Sequence, residues 1–236
     1  MNESIVTADP EVRSKSILRR YVDLPKLLDL LHTKSLYLRR ADGFPDRLEG
    51  ALFPSLRESI DEEFKKGNLP TCSDAFYRNA REGNYVCCWT IGARDNMALW
   101  QLYGGVKSSV AITTTVDRLV STVLRWDRSV HLHKVKYIDH SKPPNFAIGA
   151  YSDVLQYKSD AYKFEKELRV VMPKLDDISQ NPMGIKIKLN DINELVRSIV
   201  VAPEADDSFV SAVADLCKKY GLKSPVRRSK LAFIPT

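Results

Sequence analysis

No stretch of this sequence carries the ~18 uninterrupted apolar residues of a bilayer-crossing helix, so no membrane partner is expected. The opening residues, MNESIVTADPEVRSKS, are polar and contain acids, so neither a secretory signal nor a transit peptide is expected there. A cytoplasmic location is then the default. Cysteine is scarce: Cys72, Cys87, Cys88 and Cys217, with no C-x-x-C pair. That spacing argues against a zinc site and a disulfide framework and leaves four small buried hydrophobes. The phosphate-binding patterns G-x-x-x-x-G-K-[ST] and G-x-G-x-x-G and the hydrolase elbow G-x-S-x-G are all missing. Histidine is also sparse. His131 and His133 fall on one face of a candidate strand, but no Asp or Glu stands at ligand spacing, His140 lies beyond a turn and His32 closes a helix. No metal site is expected. There is no tandem repeat, low-complexity tract or clean linker. The expected organisation is a flexible arm over residues 1–16 and a single α+β domain over 17–236.

What is present is ordinary globular material. Of 236 residues, 44% are apolar and 28% charged, ample for a core. A net charge of +6 and a pI near 9.0 permit an acidic partner, such as nucleic acid or a dinucleotide phosphate, without requiring one. The basic clusters, LRR at 18–20, LRR at 38–40 and VRRSK at 226–230, are short and lack interleaved aromatics, as solvated surface does.

Periodicity supplies the elements. Asp23 caps a helix beginning at Leu24 and Pro25, with a stripe of Leu24, Leu27, Leu28 and Leu31. SLYLRR is a short strand, with Leu36, Leu38 and Arg40 on one side and Tyr37 and Arg39 on the other. A loop through Asp42-Gly43 and Pro45 leads to a helix ended by Gly67, and a further short helix is expected around SDAFYRNAREG. NYVCCWTIG reads as a buried strand and NMALWQLYGG as a short helix. SSVAITTT is strand-like, VDRLVSTVLRW helical, and SVHLHKVKYID alternates as one strand. FAIGAYSDVLQYKSDAYKFEKE is expected to be helical. The strands LRVVMP, GIKIKL and SIVVAP, helices at DINELV and SFVSAVADLCKKYG, and a last strand near KLAFIP complete the chain. Strands interspersed with helices, but not in a regular β-α-β series, predict an α+β fold with a mixed, curved sheet.

Four segments carry the chemistry: LYLRRADGFPDRLEG, CCWT, MALWQLYGG and YKFEKELRVVMP. In this order they resemble a widespread bacterial family of unknown function with F-x-D-x-x-E, W-x-x-Y and E-x-E-x-R motifs. Phe44, Asp46 and Glu49 match the first, Trp100 and Tyr103 the second, and Glu165, Glu167 and Arg169 the third, while Pro45, Arg47 and Leu48 depart from the family's loop. That resemblance implies bacterial accessory biology such as toxin or phage-defence systems. EKELRVVMP is more distantly similar to the mono-ADP-ribosyltransferases. In those, an early-strand Arg or His holds NAD, a Ser or Thr follows an aromatic on a middle strand, and a Glu at the head of a later strand carries catalysis. Arg39, Thr90 and Glu167 occur in that order, and an ADP-ribosyltransferase-like split sheet is implied. Trp-Thr-Ile stands where those enzymes have Ser-Thr-Ser, and the usual target-recognition signature before Glu165 is missing.

The resemblance implies NAD as substrate and a nucleic-acid or protein acceptor. Cleaving the nicotinamide–ribose bond builds positive charge on the sugar, which a carboxylate on a rigid strand stabilises. Glu167 has that setting; Glu165 is placed to take a proton from the nucleophile. Arg39 suits the pyrophosphate, and Trp100 or Tyr103 the nicotinamide face. The same residues admit packing roles: a Glu165–Arg169 helical ion pair or a Glu167–Arg169 pair on a strand, Trp100 and Tyr103 in the core, Asp46 and Glu49 as caps of the next helix. Two other functions stay open: a non-catalytic nucleic-acid-binding module, and a metal-dependent hydrolase or nuclease using Asp46, Glu49, Glu165 and Glu167. Oligomeric state is not legible.

Overall fold

The computed structural model describes residues 6–44, 46, 51, 53–139, 141–142, 151–174 and 180–232. In chain order these form β1 (Val6–Ala8), β2 (Ile17–Asp23), α1 (Leu24–Thr33), β3 (Ser35–Arg40), α2 (Pro54–Lys65), α3 (Ser73–Glu82), β4 (Asn84–Ile91), α4 (Met97–Tyr103) and β5 (Ser109–Thr115). There follow α5 (Val116–Val123), β6 (Val130–Lys134), β7 (Lys136–Ile138), β8 (Tyr157–Ser159), β9 (Glu167–Pro173), β10 (Gly184–Lys188), α6 (Ile192–Leu195), β11 (Ser198–Val201), α7 (Asp207–Lys219) and β12 (Val226–Arg228). Short 3-10 turns cover Ala41–Gly43, Tyr151–Gln156, Asp160–Glu165 and Lys230–Ala232. No helix among the described residues is long and apolar enough to cross a membrane.

The architecture is α+β, built on a ten-stranded mixed sheet with flanking helices. Its main path runs β1-β6-β9-β4-β2-β5-β11-β12, and β10-β3 joins it as a branch on β4. The β1–β6 and β11–β12 pairs are parallel and the other pairs antiparallel. Side chains alternate across a strand, so β4 and β9 each present two different faces. Tyr85, Cys87 and Trp89, with Leu168, Val170 and Met172, enter the main core. Val86 and Val171 join a smaller cluster with Ala41, Ile60 and Leu155 on the opposite side. Between that cluster and the far end of the strands, the second face is polar.

The start signal read at Asp23 acts as expected. Asp23 accepts a hydrogen bond from the Lys26 amide at 2.9 Å and caps α1. Within α1, however, Leu30 is buried with Leu27 and Leu31, while Leu28 is exposed.

Four expectations are corrected. Val6–Ala8, in the segment read as a loose arm, pairs with β6 at the sheet edge. SVHLHKVKYID is two strands, β6 and β7, which join different sheets. The stretch expected as a helix before Glu167 is two 3-10 turns around β8; its residues 146–150 lie outside the described residues. There β8 pairs with β7, burying Tyr157 and Lys158. The final strand is β12 rather than KLAFIP, of which residues 230–232 form a 3-10 turn and the rest lies outside the described residues.

Candidate active site

The sheet forks at β4. Along one edge β4 pairs with β9 from Asn84↔Pro173 to Thr90↔Glu167. Its other edge is shared by two strands. β3 takes one end through Arg39↔Val86 and Arg40↔Tyr85, and β2 takes the other through Leu18↔Ile91 and Arg19↔Thr90. Residues 87–89 stand at the mouth of the fork. Arg20 spans it, donating from Nη1 to Cys87 Sγ at 2.7 Å and from Nη2 to the Tyr37 carbonyl at 3.2 Å.

Over this fork lies a cleft of about 380 Å³. Arg39, Thr90, Tyr103, Glu165 and Glu167 line it together, as does Asp46. An adjoining cavity of about 460 Å³ under α1 shares Arg20, Tyr37, Arg39 and Trp89 with the cleft and is floored by Leu30, Leu36 and Ile112. Arg39 is exposed on the β3 arm of the fork. Its side chain lies across the following turn, where a Cβ on Gly43 would come within 2.5 Å of Arg39 Nε. A larger residue there would displace it.

A straight row crosses the sheet at the other arm. Arg19 on β2 is opposite Thr90 on β4, and Thr90 is opposite Glu167 on β9. Directly paired residues share a face, so all three side chains meet the cleft. Arg19 is only 8% exposed. It donates from Nε to the Gly92 carbonyl at 3.3 Å and from Nη2 to the Ala93 carbonyl at 2.5 Å. Its Nη1 is buried without a hydrogen-bond partner among the described residues. Burying part of a guanidinium unsatisfied is costly, so this nitrogen lacks the compensation that Nε and Nη2 have.

The two acids are held by a continuous chain of hydrogen bonds. Tyr103 Oη donates to Glu165 Oε1 at 2.5 Å, and Lys158 Nζ donates to Glu165 Oε2 at 2.5 Å. Lys158 Nζ also donates to Glu167 Oε1 at 2.7 Å, and Arg169 Nε to Glu167 Oε2 at 2.7 Å. Arg169 Nη1 ends the chain on the Leu155 carbonyl at 2.7 Å. The Glu167 amide donates to Tyr137 Oη at 2.8 Å. Lys166, in the left-handed region at φ 47°, turns the chain between the 3-10 turn carrying Glu165 and the strand carrying Glu167.

This environment drives the two acids apart. Burial, and then the neighbouring Glu167 carboxylate, raise Glu165 to about 7 from an ordinary 4.5. Burial opposes ionisation of Glu167 too, but the Arg169 guanidinium, the hydrogen bond with Glu165 and the Lys158 ammonium outweigh it and hold Glu167 well below the usual carboxylate range. At neutral pH one acid is a fixed anion and the other exchanges a proton, the division of labour that paired catalytic carboxylates require. The Tyr103 hydroxyl is pushed far up by burial and by Glu165, so it stays a donor.

Trp100 does not belong to this group. It is fully buried, edge-on to Tyr21 at 4.8 Å, a core residue rather than a wall for a ligand. Tyr103, three residues on, reaches the cleft with its hydroxyl committed to Glu165. Glu165 and Arg169 form no helical pair; the strand pair Glu167–Arg169 forms instead. Asp46 does not cap the next helix, whose N-cap is Phe53, and Glu49 lies outside the described residues. His131 and His133 stack at 5.8 Å, and no group of three or more His, Cys, Asp or Glu suited to a metal occurs among the described residues.

Sequence reasoning missed Arg19, Arg20 and Lys158. The LRR doublet at 18–20 was the available signal, and it read as surface. Lys158 had none, because its partners come from the fold.

No family model matches the chain, and no curated protein matches it. Among solved structures, it is similar to Thermus sp. 2.9 DarT in complex with NAD+, at 10% identity and a TM-score of 0.44, covering 94% of this chain and 98% of that one. The same protein in complex with ADP-ribosylated ssDNA gives 9% identity and a TM-score of 0.43, over 94% and 97% of the two chains. Its complex with carba-NAD+ gives 10% and 0.42, over 93% and 98%. At this level of likeness no residue role is carried over.

Proposed function

We propose that the chain is an ADP-ribosyltransferase that consumes NAD and passes ADP-ribose to a nucleic-acid or protein acceptor. The observation that carries the reading is the Arg19–Thr90–Glu167 row, lining one cleft beside a second, proton-exchanging carboxylate. The two adjoining cavities offer room for the two halves of a dinucleotide.

In this reading Arg19 Nη1 and the exposed Arg39 meet the anionic dinucleotide bridge. The Glu167 anion holds a hydroxyl of the nicotinamide-bearing ribose. The C1′–N bond breaks, its electron pair leaves with nicotinamide, and Glu167 stabilises the positive charge that develops on the sugar. The acceptor nucleophile forms the new bond to C1′ while Glu165 takes its proton. Thr90, between Arg19 and Glu167, orients the sugar. A net charge of +6 favours a nucleic-acid acceptor, and the motif resemblance favours a bacterial toxin or defence setting in the cytoplasm.

The test is label transfer from radiolabelled NAD to single-stranded DNA, RNA and protein acceptors. Glu167→Gln keeps the shape and removes the charge, and is expected to lower transfer by roughly 10²–10³-fold. Equal transfer by wild type and variant overturns the reading.

A further inference from the structure

We propose that Lys158 is a positioning residue of this cleft, its buried ammonium bridging Glu165 and Glu167 and fixing the two carboxylates relative to each other. The inference rests on the ADP-ribosyltransferase reading for its consequence in catalysis, but not for its geometry.

Lys158 is 5% exposed, and its two charged hydrogen bonds go to both acids, at 2.5 Å and 2.7 Å. A buried ammonium needs compensation on this scale. A purely structural lysine would be compensated equally well away from a cleft, whereas this one lines it. It arrives on β8, which with β7 forms a two-stranded ribbon apart from the main sheet. The same ribbon supplies Tyr137, which accepts the Glu167 amide. The ribbon thus grips the head of β9 at two points, one on the backbone and one on the side chain. Beneath the ammonium, the Tyr162 ring lies 4.5 Å from Nζ, a cation–π support that fixes its position.

The charged and titratable groups facing the pair can be read element by element. Glu165 and Tyr162 come from the 3-10 turn, Glu167 and Arg169 from β9, and Lys158 and Tyr137 from the ribbon. Tyr103 comes from α4 and Arg19 from β2, across Thr90. Lys158 bonds both acids. Two carboxylates this close cannot both ionise without a cation between them, and would otherwise share a proton. Glu167 is also held by Arg169, so removing Lys158 weakens its ionisation without abolishing it.

The experiment follows the acid limb of NAD turnover together with a ¹³C NMR titration of glutamate side-chain carboxyls, in wild type, Lys158→Met and Lys158→Arg. With Lys158→Met, both carboxyls are expected to titrate higher by about 1–3 pH units, and the acid limb, set by Glu165 as the proton acceptor, moves up with Glu165. Lys158→Arg restores both toward wild type. If Lys158→Met does not fold, Lys158→Gln is read the same way. A uniform loss of turnover at every pH with the titration unmoved overturns the proposal. Absence of NAD turnover in the wild type sinks the enzymatic reading instead, and the NMR titration still decides the role of Lys158.

Discussion

If the cleft takes NAD as proposed, two arginines are candidates for its anionic bridge, and the fork separates them by a measurable amount. Arg39 stands on β3 opposite Val86, exposed, and Arg19 on β2 opposite Thr90, buried. Two of Arg19's nitrogens are spent on the carbonyls of Gly92 and Ala93, which fix the guanidinium plane before any ligand arrives. Its Nη1 is therefore a preorganised donor in a desolvated place. Replacing Arg19 by Met removes a charged hydrogen bond worth about 1.5–3 kcal/mol, a weakening of NAD binding by roughly 10–150-fold. Replacing Arg39 by Met removes an exposed charge worth about 0–1 kcal/mol, at most about fivefold. Isothermal titration with NAD, at two salt concentrations, measures both. The Arg39 effect shrinks with salt because its charge is screened; the Arg19 effect persists. The Gly92 and Ala93 carbonyls also lose their partner in Arg19→Met, at a cost of about 1 kcal/mol in stability, which a urea titration registers separately. If folded Arg19→Met binds NAD as wild type does, or if Arg39→Met is the weaker binder, the assignment of the row is wrong.

Two further outcomes follow from the same geometry. Trp100→Ala is expected to cost about 3–5 kcal/mol of stability, because the side chain is fully buried against Tyr21. Trp100→Phe keeps an aromatic ring against Tyr21 and should leave NAD affinity within about threefold, under ~0.7 kcal/mol; a larger loss would return Trp100 to the ligand site. The acids predict an unusual stability profile. Glu165, raised to about 7 from 4.5, keeps a proton in the folded chain that the unfolded chain releases, so stability falls as pH rises between those values. Glu167, held low, acts in the opposite sense: stability is lost as pH falls below 4.5 toward its folded value. Glu165→Gln should flatten the decline between pH 4.5 and 7, an effect on the order of 1–3 kcal/mol in urea unfolding at pH 5 against 7.5. An unchanged profile would mean that Glu165 is not raised.

Much of the molecule follows from short-range rules acting on the sequence. The Asp23 cap, the continuous apolar run of β4, the Gly67 stop after α2 and the polar head of β9 at Glu167 are local statements, and each has a structural counterpart. The face assignment on β3 is also local. Leu36 and Leu38 enter the core while Tyr37 and Arg39 turn to the cleft, since alternation along one strand needs no knowledge of its neighbours. The i, i+3 spacing of Trp100 and Tyr103 states that the two lie near each other on a helix, but not that one is core and the other cleft. That depends on the tilt of α4 against β2 and on where Glu165 arrives from sixty-two residues away.

By itself, then, the sequence determined many of the elements, the inward face of β3 and the presence of paired acids ahead of a buried strand. Tertiary structure decided which arginine joins them. Both LRR doublets lie on strands that border the same edge of β4, and only the register of β2 puts Arg19, rather than Arg39, in line with Thr90 and Glu167. It also decided which acid is charged. Two glutamates two residues apart are chemically alike in the chain. They become different because the β7–β8 ribbon brings Lys158 between them, Arg169 beside one and Tyr103 beside the other. Long-range pairing sets those neighbours, and the low dielectric of a buried site converts them into a difference in charge.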